Sequence, residues 1–392
     1  MATQPMLSAQ ARRLARWLKP RLRLGGRGRL GMRTRPLPLL ARTALWAGAL
    51  IALALLVPLL LVQEHQQEVS TSARGERPAP QALKVPPPST AAAQPTVRVY
   101  LSGTRQVESI ALEQYVRGVL AAEMPSSFEL EALKAQAMAA RTYIMRRLLA
   151  QDTSGAPEGA DVTDTVSHQA YKPLAEMKRL PKEAAAKLNR AVEETQDQII
   201  TYEGKPIMAA FFSTSNGYTE NSEDYWGNPV PYLKSVASPW DERVAPRFAE
   251  STTYKVDALL SELGVSAQAL KLQSGGGTSS NSGSAQAIRN QLRILSRTPG
   301  KRVGQVQVGT EQFTGREIRE KLGLRSSAFD WSMVDGKLVI TTYGFGHGVG
   351  MSQYGAQGMA KEGSTAEQIV TYYYKGVKVD KASKLASAKL KG

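Results

Sequence analysis

The chain has 392 residues, no cysteine and a formal net charge of +16. Its length is enough for one large core or two ordinary ones, and the lack of cysteine excludes disulfides, thiol catalysis and Cys-ligated zinc. The charge resembles that of a nucleic-acid binder only until it is located: residues 1–43 hold 11 Arg and Lys and no acid, leaving 39 basic against 34 acidic residues in the rest. That nearly balanced body argues against nucleic acid as a partner.

Directly after the basic block comes ALWAGALIALALLVPLLLV, residues 44–62, which carries no charge and is long enough as a helix to cross a hydrocarbon core. Arginine lies on one side of it only, so the positive-inside rule predicts a cell-membrane, single-pass protein with residues 1–43 cytoplasmic and the rest extracytoplasmic. A cleaved signal peptide fits less well, since VQEHQQEVS offers no small-residue cleavage site. Residues 63–95 are polar and Pro-rich and read as a spacer. The expected functional domain is 96–378, with a Gly/Ser-rich flexible insertion at 273–284 and a Lys-rich tail at 379–392.

TVRVYL at 96–101 alternates apolar and polar residues, as a half-buried strand does. ALEQYVRGVLAAE at 111–123 has apolar residues at 112, 115, 116, 119 and 120, the spacing of a helical face. Pro125 stops that helix, and Ser126 with Glu129 predicts a capping box opening a second, Ala-rich helix to about residue 149. Glu123 therefore ends one helix beside a proline corner.

Further on, VTDTVSHQAYKP reads as a polar loop and KEAAAKLNRAVEET as a helix. QIITYEGKPIMAAFF reads as two strands about a turn. STSNGYTENSEDYWGNP is rich in hydroxyl, amide and aromatic groups. GQVQVGTEQFTGREIREKLGL returns to strand and then helix, KLVITTYG is a strand, and STAEQIVTYYYKGV is a capped helix. Helices and strands mix without a βαβ rhythm, so the expected class is α+β, a single mixed domain.

YGFGHGVGMSQYGA, residues 343–356, sets glycines at 344, 346, 348 and 350 around His347. Bare backbone of this kind suits positive φ or close approach by another group. The spacing is neither a GxGxxG opening a helix nor a Walker motif, which leaves no basis for a nucleotide cradle.

YVRGVLAAEMPSSFELEALKAQAMAARTYIMRR, VTDTVSHQAY, AAFFSTSNGYTEN and GFGHGVGMSQYGAQGMAKEG together resemble the stage II sporulation protein D family, which includes proteins described as amidase enhancers. The similarity runs in order over about 96–378. It implies a lytic transglycosylase that cuts peptidoglycan during forespore engulfment, without metal or other cofactor. The implied partners are peptidoglycan glycan strands, a cell-wall amidase or endopeptidase, and a membrane component of the engulfment machinery. By matching motifs, the catalytic acid is Glu123, and the glycan-groove residues are Ser213, Thr214, Ser215 and Gly217 with His347, Gly348, Gln353 and Tyr354. Two positions depart from the pattern, Asn216 where a second glycine is common and Tyr218 where some relatives carry histidine. The cysteine-based metal site of some relatives cannot be built here.

The residues fit that chemistry. Internal attack by the muramic acid C6 hydroxyl needs one carboxyl to donate and then accept a proton, whereas hydrolysis uses two at set separations. Burial beside Val119, Leu120 and Met124 at a helix C-terminus would raise the Glu123 pKa. Tyr225 and Trp226 offer flat faces to pyranose rings, and His347 and Gln353 offer polar contacts. Glu220 and Asp224 read as loop-ordering acceptors rather than a second catalytic carboxylate, and His168 either faces the same groove or caps a turn, with the structural role favoured. The alternative is a non-catalytic glycan binder that enhances an amidase.

Overall fold

The computed structural model describes residues 94–266 and 291–389. The basic segment, the span at 44–62, nearly all of the spacer and the 273–284 insertion lie outside the described residues. Among those described, no helix is long and apolar enough to cross a membrane.

The α+β class is what the fold has. The chain enters through the antiparallel pair β1 (Thr96–Leu101) and β2 (Gln106–Ala111), followed by α1 (Leu112–Glu123), α2 (Leu130–Ala150) and β3 (Val162–Thr163), which lies parallel to β1. Next come α3 (Leu174–Met177), α4 (Lys182–Glu193), the hairpin β4 (Gln198–Tyr202) and β5 (Lys205–Pro206), then β6 (Phe211–Phe212) and two short helices, α5 (Ser222–Trp226) and α6 (Trp240–Val244). A second group holds β7 (Ala249–Tyr254), α7 (Val256–Leu263), β8 (Leu292–Arg297), β9 (Val303–Val308), β10 (Glu311–Thr314), α8 (Gly315–Leu322), β11 (Phe329–Val334) and β12 (Lys337–Tyr343). The chain then returns through β13 (Met351–Ser352), parallel to β6, into α9 (Gln353–Lys361), α10 (Ala366–Tyr373), β14 (Lys378–Lys381) and α11 (Ala382–Lys389). Because β14 pairs with β4, the Lys-rich tail begins inside a sheet.

Two apolar cores result. The first gathers α1, α2, β4, α9 and α10, and all five apolar positions read on α1, Leu112, Tyr115, Val116, Val119 and Leu120, are buried in it. Each fully buried side chain of this size contributes about 1.5–3 kcal/mol, so this face fixes where α1 ends and thus where Glu123 stands. Gly118 on the same helix admits no side chain, since a Cβ there would lie 2.1 Å from the Tyr171 ring. The second core gathers Leu259, Val306, Ile318, Phe329 and Ile340 from α7, β9, α8, β11 and β12.

The predicted capping box at Ser126 and Glu129 does not form. Helix α2 starts at Leu130, and the Glu129 N–H donates to Gln357 Oε1 of α9 at 2.6 Å. A partner distant in sequence replaces the local cap. The helix expected to be capped in STAEQIVTYYYKGV does carry a capping box, with the Gln368 N–H donating to Thr365 Oγ1 at 3.3 Å and the Thr365 N–H to Gln368 Oε1 at 2.8 Å.

Candidate functional site

Residues 344–350 form the seam that joins β12, whose Ile340 lies in the second core, to β13, whose Met351 lies in the first. Its four alternating glycines all have positive φ, from 74° at Gly344 to 112° at Gly346. The space beside them belongs to the protein itself. A Cβ on Gly348 would sit 2.2 Å from Arg302 Nε, and one on Gly350 would sit 2.1 Å from the Ala210 carbonyl oxygen. These α-carbons abut Arg302 and the stretch that leads into β6, so the close approach expected of bare backbone is made by the protein's own groups.

Arg302 is the seam's buried cation, 1% exposed. It donates from Nη1 to Ser326 Oγ at 2.7 Å and packs its guanidinium on Phe212, 5.8 Å from the ring centre. Its Nε and Nη2 have no hydrogen-bond partner among the described residues. Burial lowers its pKa to about 10, and the Glu220 carboxylate works against that shift.

Glu220 is also buried, its backbone N–H donating to the Gly348 carbonyl at 2.8 Å. Its Oε1 accepts from the Asn221 N–H at 3.0 Å and its Oε2 from the Thr298 hydroxyl. Burial raises its pKa, opposed by the Thr298 bond and Arg302. It lines a polar cavity of about 430 Å³ shared with Asp224, Tyr225, Arg302 and Arg316. Asp224 accepts from Asn221 Nδ2 at 2.7 Å.

Glu123 is the last residue of α1, and its carboxyl is half-buried. Oε1 accepts from the Ala170 N–H at 2.9 Å. Desolvation raises its pKa, with the Ala170 bond and the Gln353 amide each offsetting part of the rise. The Gln353 contact is not a well-formed hydrogen bond, since its Nε2 is buried and without a hydrogen-bond partner among the described residues. A carboxyl that tends to hold its proton thus faces an unsatisfied amide donor.

The Stage II sporulation protein family model matches residues 100–202, which contain both Glu123 and Ala170. Over 350 residues the chain is 43% identical to stage II sporulation protein D of Bacillus subtilis (strain 168), covering 86% of this chain and 96% of that protein. The chain belongs to the stage II sporulation protein D family. The Bacillus amyloliquefaciens protein of the same name is 42% identical over 349 residues, covering 86% of this chain and 95% of its own. The amidase enhancer of Bacillus subtilis (strain 168) is 28% identical over 298 residues, covering 67% of this chain and 39% of its own.

In this stage II sporulation protein D relative, His347 stands inside an aromatic cluster. Its ring centre is 5.3 Å from Trp226, 5.7 Å from Phe212 and 5.9 Å from Tyr225. Nδ1 accepts from the Val349 N–H at 3.1 Å, which assigns the neutral ring's proton to Nε2. Burial first, then Arg302 and Arg319, push its pKa down to about 3. It is neutral at physiological pH and cannot serve there as a charged donor. Tyr225 is held in turn by Arg319, which donates to its hydroxyl at 2.6 Å, and by Arg316, 5.0 Å from the ring centre.

The other expected residues divide by surroundings. Ser213 bridges to Thr214 at 3.2 Å between hydroxyls, and its carbonyl accepts from the Tyr354 N–H at 3.0 Å. The Tyr354 ring packs edge-on against Phe128 at 5.0 Å, beside the proline corner that follows Glu123. Thr214 is buried and pairs by its backbone with Phe345. Ser215 is turned inward, its N–H donating to Asp241 Oδ1 at 2.8 Å and its hydroxyl to the Ser238 carbonyl at 3.3 Å. Gly217, with φ of 99°, makes the bend that lets the Ser238 N–H reach its carbonyl at 2.7 Å.

Sequence reasoning missed Asp241, a fully buried carboxylate that also accepts from the Ser352 hydroxyl and from Ser238 Oγ at 2.6 Å. It missed Arg302 and the Ala170 N–H as well. Among the described residues there is no group of three or more His, Asp or Glu side chains placed to hold a metal ion.

Proposed function

We propose that this protein is a membrane-anchored lytic transglycosylase that cuts peptidoglycan glycan strands during sporulation, with Glu123 as its proton carrier. The observation that carries the reading is the half-buried Glu123 carboxyl, its pKa raised by desolvation, at the end of a rigidly packed helix. The other buried carboxyls are engaged elsewhere, Glu220 with Thr298 and Asn221, Asp241 with two hydroxyls and a backbone N–H, and Asp161 with Arg98.

One carboxyl suffices for internal attack. Protonated Glu123 donates to the leaving glycosidic oxygen as the C1–O bond breaks, the sugar's own C6 hydroxyl bonds to C1, and the Glu123 carboxylate takes up the hydroxyl proton. The product ends in 1,6-anhydro-N-acetylmuramic acid and no water is consumed. Gln353 Nε2 is a buried donor beside the acid that acts on the carboxyl itself, and Trp226 supplies an apolar face for a pyranose ring. The basic segment and apolar span at 1–62 would hold the domain outside the membrane, beside a cell-wall amidase or endopeptidase and a membrane partner of engulfment.

The second reading is a glycan binder that stimulates an amidase, favoured by the relative named amidase enhancer. A zymogram run beside a glycan pull-down with the full chain separates the two. Cleared bands support the enzyme, and binding without clearing supports the accessory role.

A further inference from the structure

The Ala170 N–H that holds Glu123 belongs to the connection leaving β3, whose apex at Val166 is 90% exposed and is not fixed by packing. Two sets of contacts anchor this connection. On the side after Ala170, Tyr171 stacks on Tyr115 at 5.6 Å and donates its hydroxyl to Glu108 Oε2 at 2.6 Å, while the Lys172 N–H donates to the Gly118 carbonyl at 3.1 Å. On the side before it, the anchor is His168.

The His168 ring is bonded at both nitrogens. Nδ1 lies 2.9 Å from the Thr163 hydroxyl and accepts from the Thr163 N–H at 3.3 Å, so in the neutral ring Nε2 carries the proton. Nε2 donates to the Ser154 carbonyl at 3.1 Å, an oxygen that also accepts from Arg147 Nη2 at 2.9 Å. Next to His168, Gln169 Oε1 accepts from the buried Tyr115 hydroxyl at 3.1 Å. The ring therefore ties three separate stretches, 154, 163 and 168, together two residues ahead of the donor to the acid.

We propose that His168 is a positioning residue for Glu123, clipping the connection to Thr163 and Ser154 so that the Ala170 N–H stays on the acid's Oε1. The proposal rests on the reading of Glu123 as proton carrier for its effect on turnover, but not for its effect on the Glu123 carboxyl itself. The Ala170 bond favours the charged carboxylate, so loosening the clip raises the titration midpoint of Glu123. The charged groups around the ring are Arg147 and Asp152, and the groups facing Glu123 are the neutral Tyr115 phenol and the Gln353 amide.

The test compares full-length parent, His168→Ala, His168→Asn and Thr163→Val. The Glu123 side chain is titrated by carbon NMR of carboxyl-labelled glutamate, assigned with Glu123→Gln, and turnover is measured on purified glycan. His168→Asn keeps an acceptor where Nδ1 stands and so keeps the bond to the Thr163 N–H. Expected are an upward shift of the Glu123 midpoint in His168→Ala, a kcat about tenfold lower with KM within about twofold, as misplacement of a catalytic group produces, and partial recovery of both in His168→Asn. An unmoved midpoint in a folded His168→Ala overturns the proposal. If that variant does not fold, Thr163→Val decides, with a smaller upward shift expected and no shift overturning it. A parent that never cuts glycan defeats the proposed function while the titration still decides the clip.

Discussion

Gly348→Ala would put a methyl group where the Arg302 guanidinium stands. The new Cβ would lie 2.2 Å from Nε and 2.4 Å from Cζ, whereas carbon contacts settle near about 3.5–4.0 Å, so the guanidinium must retreat by more than about 1 Å. Retreat breaks the 2.7 Å bond from Nη1 to Ser326 in a side chain that is 1% exposed, which costs about 1.5–3 kcal/mol for a charged donor. Alanine at φ of 92° adds backbone strain of about 1–3 kcal/mol. The expected loss is therefore about 2.5–6 kcal/mol, read from urea unfolding of the full chain by tryptophan fluorescence. Arg302→Met should relieve part of it, so a double-mutant cycle should be non-additive by about 1–3 kcal/mol. A loss below about 1 kcal/mol, within the range of ordinary substitutions, or strict additivity, would refute the account of the glycines as clearance for Arg302.

Three further expectations concern protons and rings. The Glu123 carboxyl must start protonated and its pKa is raised, so kcat/KM should stay flat at low pH and fall as pH rises through a value above the ordinary glutamate pKa of about 4.3. A rate that climbs through that limb would count against Glu123 as the initial acid. His347 has a folded pKa of about 3 against about 6.5 unfolded, so below the unfolded value the denatured chain takes a proton that the native chain refuses. Its contribution is present above the unfolded pKa and lost as pH falls toward 3. Denaturation midpoints of His347→Gln should accordingly show a shallower acid slope than those of the parent, and equal slopes would reject the neutral, caged ring. Trp226→Ala, which removes a face of that cage, should weaken glycan pull-down by about tenfold, as loss of a stacking aromatic does; unchanged retention would assign Trp226 to packing alone.

The parts of this fold that were legible in the sequence are those set by local periodicity. The five apolar positions of α1 and the strand ending at Tyr343 repeat with the spacing of their element, and burial follows that spacing. Glu123 could be placed at a helix end because Pro125 limits the helix within its own neighbourhood. The α2 cap could not, since Gln357 stands 228 residues beyond Glu129. The Ala170 N–H is a backbone donor and has no residue type to mark it. Ser215 and Arg302 illustrate the same limit for side chains: a serine in a polar loop reads as sugar-facing until Asp241 turns it inward, and nothing local marks Arg302 as buried among the many arginines. The glycine alternation did signal close approach, but only the fold identifies the approaching groups as Arg302 and the Ala210 carbonyl.

The central claim, that Glu123 carries the proton in glycan cleavage, is tested most directly by mass spectrometry of purified glycan strands digested with the full-length parent and with Glu123→Gln. The parent should release fragments ending in 1,6-anhydro-N-acetylmuramic acid. Glu123→Gln keeps the shape and the bond from the Ala170 N–H but has no proton to give and recover, so its yield should fall by about 100-fold or more with glycan retention and thermal midpoint close to the parent. Fragments with reducing ends in place of anhydro ends, or undiminished cleavage by Glu123→Gln, would contradict the account.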